Sequence, residues 1–322
     1  MKMNLKIKKV LNTISYPLLL RNTLFGLRSG ERNLYVSICY FIRGVARKYN
    51  MGYHVMNEYY MTVEEIFFKK CWLKSDGSEY YWDFLGAKMP FENKFPVKDV
   101  FQDTFYFYCL FNDFYYKDLV LKLDSYLCEG PYGYVGDGLS VCVKEDDIVI
   151  DAGAWIGDFS AYAAAKGAKV YAFEPASNTY AVLSKTAYLN GINRIIPQKK
   201  GLGDENREVL LSLSENSGAN SISLKRGTKT ERIEVVTIDS FVLNNKLDRI
   251  DFIKADIEGA EREMLRGARY TLQKYAPKLA ICTYHKPDDP IVLEKIILES
   301  NPKYTIVHID KKLFAQVLKV SD

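Results

Sequence analysis

The sequence predicts a doubly wound α/β domain, and three observations predict it. From Asp147 onward, strand-length apolar runs alternate with helix-length runs. The strand runs at 148–150, 169–173, 250–255 and 278–284 are apolar nearly throughout, the pattern of parallel strands covered on both faces. The first of them passes straight into a small-residue turn, Asp151-Ala152-Gly153-Ala154-Trp155-Ile156-Gly157-Asp158, that opens a helix.

Each element follows in order. The strand at 148–150 ends at Asp151, and a helix over 158–166 is closed by Gly167. A second strand spans 169–173. A helix over 177–190 has Ser177 as N-cap and Gly191 as its stop. A third strand spans 194–199. Residues 208–213 and 231–237 form an inserted strand pair flanking a polar loop. The strand at 250–255 leads into a helix over 260–275, interrupted near Gly267. The strand at 278–284 precedes a helix over 290–300. Residues 304–309 and 314–320 then form a hairpin over Asp310-Lys311-Lys312, adding an antiparallel strand to a mostly parallel sheet.

The N-terminal part is different in kind. Residues 1–50 read as helical and basic, with ten Lys and Arg against one acid, Glu31. Such an arm can attract anionic lipid, nucleic acid or an acidic partner, or simply form a solvated helix face. Residues 51–128 are dense in Tyr, Phe and Trp. A glycine-rich stretch at 129–138 follows, and the domain boundary is placed near it: an accessory region over 1–125 and a catalytic domain over 126–322. The aromatic segment suits stacking on sugar faces, or a satellite core packed on the sheet. A net charge of only +4 argues against a dedicated nucleic-acid binder. The six cysteines form no CxxC pair and read as buried thiols of a reducing compartment. The uncharged run at 10–20 is too short to span a bilayer and lacks a small-residue cleavage site. The expectation is a cytoplasmic protein, with peripheral association at the inner membrane surface through the basic arm.

In doubly wound sheets, ligands bind where strands end. The spacing after the first strand is D-x-G-x-x-x-G, not the G-x-G-x-x-G of dinucleotide binders. The second strand ends at Glu174, 21 residues after Gly153, where an acid in a βαβ unit accepts hydrogen bonds from ribose hydroxyls. Loop and acid together point to a nucleoside ligand. Either alone has a plain reading, as a turn or a solvent-facing acid.

Four stretches, Val149 to Ser160, Tyr171 to Pro175, Ile253 to Glu261 (IKADIEGAE) and Tyr284 to Asp289 (YHKPDD), resemble the FkbM family of methyltransferases; the Glu129-Gly130-Pro131-Tyr132 approach is similar to some members. The resemblance covers about residues 126–322 and says nothing of 1–125. It implies a class I methyltransferase-like, Rossmann-type fold that binds S-adenosylmethionine. Family members typically methylate hydroxyls of sugars, glycans or polyketide-type molecules. By motif position, Asp151, Gly153, Ala154 and Gly157 would shape the methionine pocket and Glu174 would hold the ribose. Gly201 and Leu202, at the third-strand exit, would pass near the adenine, and Asp256 would border the cofactor. One departure is Ala255, where members carry a bulkier apolar residue.

Methyl transfer to a hydroxyl needs alignment and a proton acceptor. Asp256 and His285 lie at the exits of strands that should be neighbours, so both reach the ligand edge of the sheet. They are the candidate catalytic pair, with the carboxylate supporting the imidazolium. Their plain readings are a turn cap and a strand-end histidine. Asp256, Glu258 and Glu261 could supply oxygen ligands to Mg²⁺, but Ile257 separates the first two and Glu261 falls on the next helix, so no metal is expected. The loop at 217–221 could close over the site, or be a polar turn. The sequence favours an O-methyltransferase acting on a sugar hydroxyl of a glycan or glycoconjugate. A natural-product methyltransferase, a nicotinamide-dependent oxidoreductase and a non-catalytic scaffold are the alternatives.

Overall fold

The computed structural model describes residues 73–75, 77, 79–84, 86–90, 132–214, 219–225, 227–309 and 311–318. The basic arm, most of the aromatic-rich segment and Ser217-Gly218 of the polar loop lie outside them. Three short strands come first: β1 (Leu73–Ser75), β2 (Tyr80–Phe84) and β3 (Ala87–Pro90). A ribbon of β4 (Tyr134–Gly136) and β5 (Leu139–Val141) follows. The main alternation then runs β6 (Ile148–Ala152), α1 (Asp158–Ala165), β7 (Lys169–Phe173), α2 (Ser177–Asn190) and β8 (Ile195–Gln198). After an insert come α3 (Ile238–Asn244), β12 (Phe252–Ala255), α4 (Glu261–Arg266), α5 (Arg269–Lys274), β13 (Lys278–Cys282), α6 (Asp289–Ser300), β14 (Tyr304–Ile309) and β15 (Lys312–Val317).

The seven-stranded sheet has the order β14-β15-β13-β12-β6-β7-β8. The five strands from β13 to β8 are parallel, and β15 runs antiparallel to both of its neighbours. This is the class I methyltransferase arrangement, with β6 as first strand and the chain winding outward from it in both directions. The order reverses between β6 and β12, and a crevice opens there. The strands were legible as apolar runs because both faces are covered: Val149, Ile150, Phe252, Ile253, Leu279 and Ile281 are all fully buried.

The insert is a sheet of its own. β10 (Arg207–Leu213) and β11 (Lys229–Val236) pair antiparallel, and the two-residue β9 (Gly201–Leu202) pairs parallel with the end of β11. The helix over 260–275 divides into α4 and α5 at Gly267, where a Cβ would lie 2.0 Å from the Gly203 carbonyl oxygen. α2 differs at its start: Ala176 is the N-cap, and the backbone and hydroxyl of Ser177 bond Glu231 of β11 instead. α6 begins one residue early, at Asp289.

β2 and β3 fall in the same compact unit as the large sheet. Ala87 and Met89 are fully buried, and the Asn190 side chain at the end of α2 bonds both the N–H and the carbonyl of Lys88. Cys142 and Cys282 are buried thiols that take part in no disulfide. Among the described residues, no helix is long and apolar enough to cross a membrane.

Candidate active site

The crevice at the reversal point encloses about 570 Å³ of space open to solvent. Gly153 and Trp155 from the β6 turn, Glu174 after β7, Gly201 and Leu202 of β9, Asn220 of the insert, and Asp256 to Glu258 after β12 line it. Five of the residues expected at the site thus share one wall-to-wall space: Gly153, Glu174, Gly201, Leu202 and Asp256.

The β6 turn is built from its own backbone. The N–H groups of Gly153 and Ala154 both donate to the Phe173 carbonyl, at 3.1 and 2.9 Å, binding the turn to the end of β7. Gly153 has φ of 72°, and a Cβ there would lie 1.9 Å from the carbonyl oxygen of Asp256. Glycine therefore lets the exits of β6 and β12 meet. Trp155, at φ of 47°, donates its N–H to Glu174 at 3.1 Å.

Three expected residues stand behind the crevice. Gly157, at φ of 88°, starts α1, and a Cβ on it would meet Leu183 and Thr186 of α2. Ala154 is fully buried. Asp151 is fully buried as well: it accepts from Ser160 at 2.6 Å and lies 3.1 Å from the ammonium of Lys254. That lysine, itself nearly enclosed, also donates to the Gly153 carbonyl at 2.7 Å. Burial works against its charge, but Asp151, Asp256 and Asp158 outweigh burial and raise its pKa. It therefore clamps the turn from beneath. The sequence did carry a signal for it: a lone cation inside an otherwise apolar strand.

The Glu174 carboxylate accepts from Trp155 N–H, Ala176 N–H and the Thr179 hydroxyl. Burial pushes its pKa up to about 7, with those three hydrogen bonds pulling the other way without prevailing.

The opposite side is dense in charge. Asp256 accepts from the Tyr132 hydroxyl at 2.9 Å and the Tyr284 hydroxyl at 3.1 Å. His285, with a side chain 1% exposed, brings Nε2 to 3.5 Å from both Asp256 and Glu258. Its Nδ1 lies 3.1 Å from Glu261, a carboxylate equally enclosed. The expected adjacency of Asp256 and His285 is present, because β12 and β13 pair in register. Burial opposes charge on the imidazole, but Glu258, Glu261 and Asp256 together hold its pKa up at about 10. A ring that keeps its proton at neutral pH cannot accept another. Burial, with Asp256 alongside, likewise raises the Tyr284 hydroxyl and the Cys282 thiol.

The Tyr284–Asp289 segment is tied down by α4. Arg262 donates to Asp289 at 2.6 Å and to Asp288 at 2.5 Å, while Asp289 accepts from Lys286 N–H at 2.8 Å. On the other flank, the insert reaches the site through Ser221, whose hydroxyl donates to the Glu258 carbonyl at 2.6 Å. Tyr132, Tyr284 and Trp155 were given no role from sequence, although each lies in a stretch that carries the family resemblance.

A family model described as the methyltransferase FkbM domain matches residues 151–316. The chain belongs to the FkbM methyltransferase family. Similar proteins include the hexuronic acid methyltransferase AglP of Haloferax volcanii, 26% identical over 170 residues, a match covering 52% of this chain and 68% of that protein. Another is methyltransferase sdnD of Sordaria araneosa, 35% identical over 159 residues, covering 39% of this chain and 61% of that one. A crystal structure of an FkbM methyltransferase from Methylobacillus flagellatus is similar at 28% identity and a TM-score of 0.44, over 59% of this chain and 50% of that chain. The chain thus spans about half to two thirds of the length of these proteins.

Proposed function

We propose that this FkbM-family chain is an S-adenosylmethionine-dependent O-methyltransferase that acts on a sugar hydroxyl of a glycan or glycoconjugate. The observation that carries the reading is the meeting of two unlike walls in one crevice. One wall offers a glycine turn and a buried carboxylate; the other presents Asp256 and, behind it, His285.

The first wall suits the methyl donor. Glu174 keeps one acceptor site on Oε2 beyond its three protein donors, and a ribose hydroxyl there would compensate its burial. The turn at Gly153 to Trp155 would face the methionine part, and Gly201 with Leu202 the adenine. Asp151, Ala154 and Gly157 would support that turn rather than touch the ligand. When bound, the donor supplies an electrophilic methyl on a sulfonium. The transfer would form a bond from acceptor oxygen to methyl as the sulfur–methyl bond breaks, leaving the thioether, with the hydroxyl proton passing to water beside Asp256. Asp256, facing the crevice with two tyrosine hydroxyls fixing it, orients the acceptor hydroxyl. His285 positions that carboxylate from behind.

The acceptor class rests on AglP, whose name states a hexuronic acid. Sugar hydroxyls are weak nucleophiles and need such a charged, orienting wall. Association with a membrane surface through residues 1–50 would suit a lipid-linked glycan. Thermal-shift titration tests the donor: S-adenosylhomocysteine should stabilise the protein, and NAD(H) should not. Stabilisation by NAD(H) alone would instead favour the oxidoreductase alternative. His285→Ala should keep affinity for S-adenosylhomocysteine while losing at least tenfold in turnover on a glycan acceptor. Turnover equal to the parent would remove His285 from the reaction.

A further inference from the structure

We infer that Asp256, Glu258 and His285 form a binding site for one divalent cation at the acceptor end of the crevice. The inferred role of the cation, though not its binding, rests on the methyltransferase reading above.

The donor atoms converge. One oxygen of Asp256, one of Glu258 and a ring nitrogen of His285 all lie within 4.8 Å of one another. Nε2 is 3.5 Å from each of the two carboxylate oxygens. Adjacent ligands of a six-coordinate cation at roughly 2.1 Å stand about 3.0 Å apart, so these atoms need close by only about 0.5 Å to share one. The present separation is too long for a sound hydrogen bond.

The imidazole is the independent observation. Its side chain is 1% exposed, and neither ring nitrogen makes a hydrogen bond. A buried imidazole that meets carboxylates without a well-formed hydrogen bond to any of them calls for an explanation. The far side of the ring supplies one. Nδ1 faces Glu261 at 3.1 Å, and Glu261 is itself held by the Ile257 N–H at 2.9 Å. A carboxylate behind a histidine fixes the ring and holds its Nδ1 proton, and the cation takes the place of the proton on Nε2, as in carboxylate–histidine–metal arrangements. From sequence, Glu261 was weighed as a ligand. Its place at the start of α4 puts it behind the ring instead, and His285 from the next strand takes the third position.

Charge favours the same conclusion. Three carboxylates gather around one imidazole, and Lys254, which also acts on Asp256, is engaged with Asp151. Two hard oxygens and one imidazole suit Mn²⁺ or Mg²⁺. Such ions take about six ligands, so three protein ligands leave positions for oxygens of an acceptor. Asp256 and Glu258 both line the crevice, so those positions open toward it. Neighbouring hydroxyls of a sugar would fit them, and a hydroxyl on a cation gives up its proton to water more readily. The insert would hold Glu258 in place through Ser221.

The test uses the full chain, stripped with EDTA and titrated with Mn²⁺. Free Mn²⁺ is followed by electron paramagnetic resonance and protein stability by melting temperature. One saturable site per chain is expected, displaced by excess Mg²⁺. His285→Ala and Glu258→Gln should each weaken binding at least tenfold, and Glu261→Gln by about tenfold or more. Glu299→Gln, an exposed acid on α6, should bind as the parent does. Absence of saturable binding at millimolar Mn²⁺, or equal binding by the parent and Glu258→Gln, would overturn the site. If His285→Ala does not fold, Glu258→Gln decides. S-adenosylhomocysteine is titrated in parallel. Stabilisation by that ligand without Mn²⁺ binding removes the cation and leaves the methyltransferase reading. The reverse pattern removes the methyl donor and leaves the cation site.

Discussion

The two walls of the crevice are built in opposite ways. The donor wall is mostly backbone, and its polar groups are largely answered within the protein. Gly153 and Ala154 give their N–H groups to Phe173, Trp155 gives its own to Glu174, and Lys254 closes the turn from below. The acceptor wall is mostly side chain. It collects Tyr132, Asp256, Glu258, Glu261, Tyr284 and His285 from separate stretches of sequence and leaves an imidazole without a hydrogen bond. A wall made of backbone tolerates no change in shape, whereas a wall made of side chains responds mainly to changes in charge. This contrast orders the expected effects of mutation.

The largest effect should come from beneath the donor wall. Lys254→Met leaves Asp151 buried without its cation, and loss of one partner of a buried pair costs about 3–5 kcal/mol. Asp151→Asn combined with Lys254→Met should recover much of that loss. Denaturant unfolding of the three variants reads it directly. A loss below about 1 kcal/mol in the single variant would mean that solvent reaches the pair and that the clamp is weak. Next comes Gly153→Ala. Its Cβ would strike the Asp256 carbonyl in a backbone conformation that alanine resists. Affinity for S-adenosylhomocysteine should fall at least tenfold, about 1.4 kcal/mol, in a calorimetric titration. Parent-like affinity would show that the two strand exits can part without cost.

The same contrast explains what could be read before the fold was known. The donor wall lies in continuous sequence, so the strand, the glycine turn and the acid 21 residues later were all visible. Spacing alone could not separate Gly153, which borders the crevice, from Gly157, which makes room for α2. The distinction depends on which helix packs where. On the acceptor wall, Asp256 and His285 were legible because each ends a strand, and paired strands bring their ends together. Glu261 was not legible as the partner of the His285 ring. Its position follows from the turn at Glu258-Gly259 and the first residues of α4. Ser177 looked like a cap, but Glu231 arrives from the insert, far along the chain, and takes its hydroxyl.

A middle-sized effect should appear with pH, and on the donor wall alone. With its pKa raised to about 7, Glu174 changes charge near neutrality in the unliganded protein. A ribose hydroxyl donates to the ionised form. Affinity for S-adenosylhomocysteine should therefore weaken as pH falls below about 7, by up to tenfold per unit, and Glu174→Gln should flatten that profile. Stability should move the other way. The native state holds this proton more tightly than the unfolded chain does. The resulting stabilisation is present below the ordinary value of 4.5 and is lost as pH rises to about 7. Melting temperatures of the parent and Glu174→Gln across that window measure it. A profile unchanged by the substitution would place the titrating group elsewhere.

The smallest effects should fall on two tyrosines that donate to the same carboxylate. Tyr132 is 3% exposed and packs edge-on against Phe159, with its hydroxyl 2.9 Å from Asp256. Tyr284 is 44% exposed and reaches the other oxygen at 3.1 Å. Removing a buried donor to a charged group costs about 1.5–3 kcal/mol, whereas water can replace an exposed one for less. Tyr132→Phe should therefore destabilise the protein measurably, and Tyr284→Phe by about 0.5 kcal/mol at most. Neither should move affinity for S-adenosylhomocysteine, because neither touches the donor wall. If Tyr284→Phe weakened that affinity as much as Gly153→Ala, the two walls would be one cooperative unit. The division into a backbone wall and a side-chain wall would then fail at its most exposed point.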